Sequence, residues 1–177
     1  MPTNRRMGLH SAEDLLRKLR WEMGEMERKI DQVRDDEVGA YHAFNAAVTA
    51  WHICDWVWET APLELRARFQ HDSPEPSAQG VRLLQALVCD QCRELYICRQ
   101  LATGAKHFRV DRFNDPGVTA SLQTGIDVFE SKTSGEVHCV PETGVFVNDG
   151  DTMYSDLGLF SRALHFWQSF FQRYGIQ

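Results

Sequence analysis

Tyr41-His-Ala-Phe-Asn-Ala-Ala-Val-Thr-Ala-Trp-His-Ile-Cys-Asp-Trp-Val-Trp-Glu59 decides the fold. Phe44, Val48, Trp51, Ile53, Trp56, Val57 and Trp58 put apolar side chains on most sides of a helix over about 38–60. That is the pattern of a central bundle helix surrounded by neighbours. Four polar residues interrupt it: Asn45, His52, Asp55 and Glu59. At about 100° per residue, Asn45 and His52 lie roughly 20° apart on the helical wheel, and Glu59 falls within about 40° of Asn45. Polar groups on a buried helix must be hydrogen-bonded inside the fold or serve a site, because burying them unpartnered is costly.

The flanking segments supply the neighbours. Upstream, Ser11 is placed as an N-cap with Glu13 and Asp14 in the first turn. Leu16, Leu19, Met23, Met26, Ile30 and Val33 then recur in steps of three and four. This narrow seam predicts a helix over 11–34 packed along one partner, the second helix, in an antiparallel hairpin. A homodimer is the other use of the same seam. Arg34-Asp-Asp-Glu37 makes the turn. Downstream, Pro62 opens a short helical segment through Phe69, and the two prolines of 71–77 make that stretch a loop. A long helix is predicted over 77–103, with Leu84, Leu87, Val88, Leu95 and Cys98 inward and Gly104 ending it.

After Asn114-Asp-Pro-Gly117, short β-prone pieces at 125–130, 136–140 and 145–147 alternate with turn signals. They read as a small antiparallel meander within 118–154. Leu157, Phe160, Ala163, Leu164, Trp167, Phe170, Phe171 and Tyr174 then form one helical stripe over 156–174, which Gly175 ends. The expected fold is mainly α: a single domain over 1–177, four-helix-bundle-like, with the meander inserted before the C-terminal helix.

The chain has 177 residues, enough for one well-buried core, and a net charge of −6. That charge argues against nucleic-acid binding through a broadly basic surface, though not against a local basic site. Eight of the 19 basic residues lie in the first 34 positions, interleaved with acids, which is the pattern of a solvated helix face. No apolar run approaches a membrane span and no hydrophobic region follows the basic start, so neither an anchor nor a secretory signal is expected. Five cysteines, in a chain large enough to fold without disulfides, point to a reducing cytoplasm.

Three groups of residues carry candidate chemistry. The first joins His52, Asp55 and Glu59 with Lys106-His107 beyond the long helix. Facing helices of a bundle converge on its core, and two imidazoles with a carboxylate suit acid–base work. The same His52, Asp55 and His107 would be the ligands if the bundle held a metal. There is no His-Glu-x-x-His and no Glu-x-x-His, however, so neither a metal site nor a cofactor is expected. The second is Cys89-Asp-Gln-Cys92, which has no second pair at zinc spacing and reads as packing within a helix. The third is Arg99-Gln-Leu-Ala-Thr-Gly-Ala-Lys-His107, where Arg grips phosphate and His acts as general acid or base. Basic residues capping a helix end are the plainer reading of the same run.

Ala-Val-Thr-Ala-Trp-His-x-x-Asp-Trp, followed by Cys-Arg-x-Leu-Ala-x-Gly-Ala-Lys-His-Phe, resembles a group of small bacterial and phage helical-bundle proteins. The similarity covers about 38–110 and, more loosely, the last helix. More remotely, the bundle is similar to HEPN domains, helical bundles of toxin ribonucleases and antiviral systems. Active members carry Arg, four to six residues, then His; here seven residues separate Arg99 from His107. The resemblance implies a nucleic-acid or nucleotide-handling protein of a bacterial or phage conflict system. As a ribonuclease it would use His107 as acid/base, with His52 and Asp55 positioning it. Arg99, Lys106 and Asn45 would bind the substrate. RNA or a nucleotide is then the partner, with no membrane. The rival is a non-catalytic adaptor or inhibitor that binds a protein, its polar cluster purely structural.

Overall fold

The computed structural model describes residues 8–28, 36–106, 115–130 and 137–176. Among these residues the order is α1 (Ala12–Arg28), α2 (Asp36–Thr60), α3 (Leu63–Asp72), α4 (Val81–Gln91), α5 (Arg93–Lys106), β1 (Val118–Glu130), β2 (Val137–Asp149), β3 (Thr152–Ser155) and α6 (Asp156–Tyr174). The protein is mainly helical, with a small antiparallel sheet before the C-terminal helix, as the sequence predicts.

The first helix begins, and the last helix begins and ends, where local chemistry sets it. Ser11 caps α1: its hydroxyl accepts from the Asp14 N–H at 3.3 Å, and the Asp14 carboxylate accepts from the Ser11 N–H at 2.9 Å. This reciprocal pair is a capping box. Backbone donation from His10 and Ser11 lowers the Asp14 carboxyl to about 2. At the other end, Ser155 caps α6 through the Gly158 N–H, and Gly175 closes it with φ 67°, a left-handed geometry that glycine takes without steric cost.

α1 and α2 form the expected antiparallel hairpin. Lys18 reaches Thr49, whereas Glu22, further along α1, reaches His42, earlier on α2. Leu15, Leu16, Leu19, Met23 and Met26 meet a run of small α2 residues, Ala43, Ala46, Ala47 and Ala50, all buried. Ile30 and Val33 of the predicted seam lie outside the described residues. α6 closes the core from the far side. Its Trp167 is fully buried, donates its Nε1–H to the Ala50 carbonyl of α2 at 3.0 Å, and sits edge-on to Phe170 and Phe171. Phe69 of α3 completes the aromatic layer against Phe170 and Tyr174.

Two expectations need correction. The long helix over 77–103 is two helices. Cys92 is extended, with φ −144° and ψ 105°, ends α4 through its N–H to Val88 and opens α5 through its carbonyl. The Val88–Cys92 stretch is rich in weak helix formers, and the break lets Arg93 turn toward the sheet. Nor does Gly104 end the following helix: α5 continues through it to Lys106. A glycine costs a helix only about 1 kcal/mol, which packing of α5 on α2 outweighs.

The meander is also more extended than its turn signals suggest. β1 and β2 pair over their whole length, from Val118 opposite Asp149 to Glu130 opposite Val137. Pro141-Glu-Thr-Gly144 therefore lies inside β2 rather than breaking it. β3 pairs only with Phe146–Asp149, so among the described residues one edge of β2 at Pro141 has no strand beside it. A proline's missing N–H is tolerated on such an edge. The two-residue link from β2 to β3 uses Gly150 at φ 58°.

Arg93 anchors this hairpin to the bundle. Its guanidinium binds both oxygens of Asp149 and one oxygen of Asp115, while Tyr96 donates to the same Asp115 oxygen at 3.1 Å. Hydrogen bonds from Arg93 hold the Asp149 carboxyl below its usual range; the Gly117 N–H, then Tyr96 and Arg93, do the same for Asp115. Both carboxyls are depressed in the folded state. Their stabilisation is therefore complete above the ordinary carboxylate pKa of about 4 and is lost as pH falls through the lower folded values. Amide exchange at 118–122 and 145–149, referred to α6 at the same pH, should accelerate on acidification. Arg93→Ala should produce the same loosening at neutral pH. Because Arg93 is half-exposed, the cost should stay within about 0–1 kcal/mol. Exchange that ignores both changes would mean the anchor lies elsewhere.

Candidate functional site

The polar stripe of α2 faces outward. Asn45 and Glu59 are exposed, and the His52 and Asp55 side chains keep 38% and 43% of their surface, with His52 Nε2 4.0 Å from Asp55 Oδ2. The stripe is therefore not enclosed in the core, although the rest of the helix is largely buried as its apolar pattern predicts. α1, α5 and α6 contact α2 elsewhere on its surface. They leave the stripe as a floor with α1 along one margin and α5 along the other.

The α5 margin carries the predicted phosphate-binding residues. Arg99 places its guanidinium 5.7 Å from the centre of the Trp51 ring, within cation–π range. It also lies close enough to the Cys89 thiol of α4 to oppose the upward pull of burial on it. Cys54 and Asp55 lie close enough for Asp55, Cys89 and Arg99 to act on the buried Cys54 thiol. Arg99 therefore stands at the junction of α2, α4 and α5, over Trp51, which directly precedes His52 and lies one turn before Asp55 on α2. α5 runs antiparallel to α2: Arg99 lies at Trp51, while Leu101 lines an apolar cleft of about 320 Å³ with Ala43, Phe44 and Ala47. Because α5 is unbroken through Gly104, Lys106 falls two turns beyond Arg99 and within about 20° of it on the wheel. His107 lies outside the described residues.

The α1 margin carries a cluster the sequence reading missed. Glu22 is buried, with 3% of its side chain exposed. One oxygen accepts from Lys18 Nζ at 2.9 Å and the other bonds His42 Nδ1 at 2.7 Å. Lys18 Nζ also donates to the Thr49 hydroxyl at 2.8 Å. Trp21, 54% exposed, stands with its ring centre 6.0 Å from that of His42 at an interplanar angle of 68°. A signal for this cluster was present. Glu22 sits three residues after Leu19 and four before Met26, on the apolar seam rather than on the charged face.

Among the described residues the cysteines do not form a second site. Cys89 ends in the last turn of α4 and Cys92 at the extended junction, so they are not the same-helix pair the sequence suggested. Cys54, Cys89, Cys92 and Cys98 are free thiols, and the side chain of Cys139 lies outside the described residues. Burial raises all four, Cys92 to about 12, and Cys54 and Cys98 have no exposed surface. These thiols should react with an aromatic disulfide at pH 8 much more slowly in the native protein than in denaturant; equal rates would place them at the surface. Among the described residues, no group of three or more His, Cys, Asp or Glu is disposed to hold a metal ion, and no helix is long and apolar enough to cross a membrane.

No family model matches this chain, and neither a curated protein nor a solved structure matches it.

Proposed function

We propose that the α2–α5 face handles the phosphates of RNA or of a nucleotide, as a HEPN-like component of a bacterial or phage conflict system. The observation that supports this reading is Arg99, held over Trp51 at the margin of the His52–Asp55 pair, with Lys106 two turns further along the same helix face. A fixed guanidinium recognises phosphate oxygens through paired N–H donors, and a lysine nearby adds a mobile point charge. In this reading Arg99 and Lys106 hold the phosphate, Asn45 contributes a polar contact, and His107, one residue past α5, is the acid/base. His52, with Asp55 behind it, positions His107. Local cations on a chain of net charge −6 fit a confined site better than a broad nucleic-acid surface.

The test is cleavage of single-stranded RNA by purified protein and by His107→Ala of unchanged helical content. The reading expects cleavage by the first and a loss of at least about a hundredfold in the second, the scale of one general acid or base. Absence of both binding and cleavage in a folded protein would instead fit the adaptor reading, and a stoichiometric metal would revive the metal-binding one.

A further inference from the structure

We propose that the corner between Trp21 of α1 and His42 of α2 is a nucleobase-binding subsite, an inference that rests on the RNA reading above. Three features of the corner carry it.

The first is a built orientation. Glu22 is buried, and both of its oxygens are engaged, one by Lys18 and one by His42 Nδ1. Thr49 holds Lys18 in turn. In the neutral imidazole the carboxylate keeps the proton on Nδ1, so Nε2 is left with its lone pair as an acceptor. Nε2 has no hydrogen-bond partner among the described residues. A buried charge network is an expensive way to tie two helices together. What it achieves here is one fixed imidazole tautomer and one ring direction.

The second is exposed aromatic surface. Trp21 keeps 54% of its surface in water, and Tyr41, next to His42 in the chain, keeps 60%. The steep angle between the indole and the imidazole makes them two walls of one corner. One wall stacks and the other accepts a hydrogen bond. A planar ring with an N–H on its edge satisfies both. Every nucleobase can offer a face, and all but an N-substituted edge offer an amino or imino donor. A phosphate or a carboxylate satisfies neither, since it has no stacking face and no donor for Nε2.

The third is continuity with the phosphate face. His42 is one turn from Asn45, and the exposed stripe runs from Asn45 through His52 to the Arg99 margin. His52 lies ten positions after His42 on α2, about 15 Å along the axis at about 1.5 Å per residue. A short oligonucleotide spans that length, with bases at one end and the gripped phosphate at the other.

The test compares two fluorescein-labelled probes by anisotropy: a short single-stranded RNA, and an oligonucleotide of the same length made of abasic ribose phosphates. Wild-type protein should bind the base-bearing probe more tightly. Trp21→Ala should weaken RNA binding on the order of tenfold, the range of one lost base–aromatic stack, and leave the abasic probe unchanged. His42→Ala should act in the same direction, whereas Arg99→Ala should weaken both probes. The indole is half-exposed, so Trp21→Ala tests the corner without disturbing the core. If Trp21→Ala leaves RNA affinity unchanged, or lowers both affinities equally, the subsite is refuted while the phosphate reading stands. If wild-type protein binds neither probe, both fail together.

Discussion

Trp167→Ala is expected to destabilise the protein by about 3–5 kcal/mol, a large share of the roughly 5–15 kcal/mol that holds a domain of this kind together. Three losses combine. The indole is fully buried, so its removal opens a cavity between α6 and α2. Its Nε1–H is the donor to Ala50 across that interface. Its edge-on contacts with Phe170 and Phe171 also disappear, and these join it to the layer that includes Phe69 and Tyr174. Urea unfolding followed by far-UV circular dichroism measures the cost. A loss below about 1 kcal/mol would show that α6 is not the closing element of the core. By the same argument, truncation after Ser155 should leave no cooperatively folding protein.

Glu22→Ala should cost about 1–3 kcal/mol, the scale of leaving buried polar partners unsatisfied. The side chain is almost wholly enclosed, and three groups lose their arrangement with it: Lys18, His42 and Thr49. Lys18 is 37% exposed and can turn to water, which keeps the loss below that of a deeply buried ion pair. Glu22→Gln should recover part of it, because an amide oxygen still accepts one of the two hydrogen bonds. Thermal and urea unfolding of the two variants check this. If both match the wild type, the network neither locks the α1–α2 hairpin nor fixes His42.

The elements that follow a long apolar period were legible in the sequence. α6 is found at Asp156–Tyr174, and the Ser11 and Gly175 caps fall where their side-chain and backbone chemistry place them. Local signals misled where tertiary contacts outweigh them. Cys92 breaks a helix that periodicity would continue, because Arg93 is drawn to Asp115 and Asp149, residues remote in sequence. Pro141 and Gly144 look like a turn, yet pairing with β1 carries the strand through them. The candidate site was half legible. Asn45, His52 and Asp55 lie along one face of α2, as their spacing requires, but that face is open to solvent. A central helix covered by α1 and α5 at its flanks need not be covered between them. The Glu22 cluster was overlooked because a glutamate in a charge-rich helix is usually solvated, and only its phase relative to Leu19 and Met26 marks it as buried.

The central claim is that Arg99 grips a phosphate beside His52 and Asp55. Single-turnover cleavage of labelled RNA by Arg99→Ala, compared with wild type at matched thermal stability, tests it most directly. Loss of one charged donor aimed at a reacting phosphate is worth about a hundredfold to a thousandfold, so the rate should fall by that much while unfolding stays within a few degrees of wild type. Cleavage at the wild-type rate by Arg99→Ala would contradict the account.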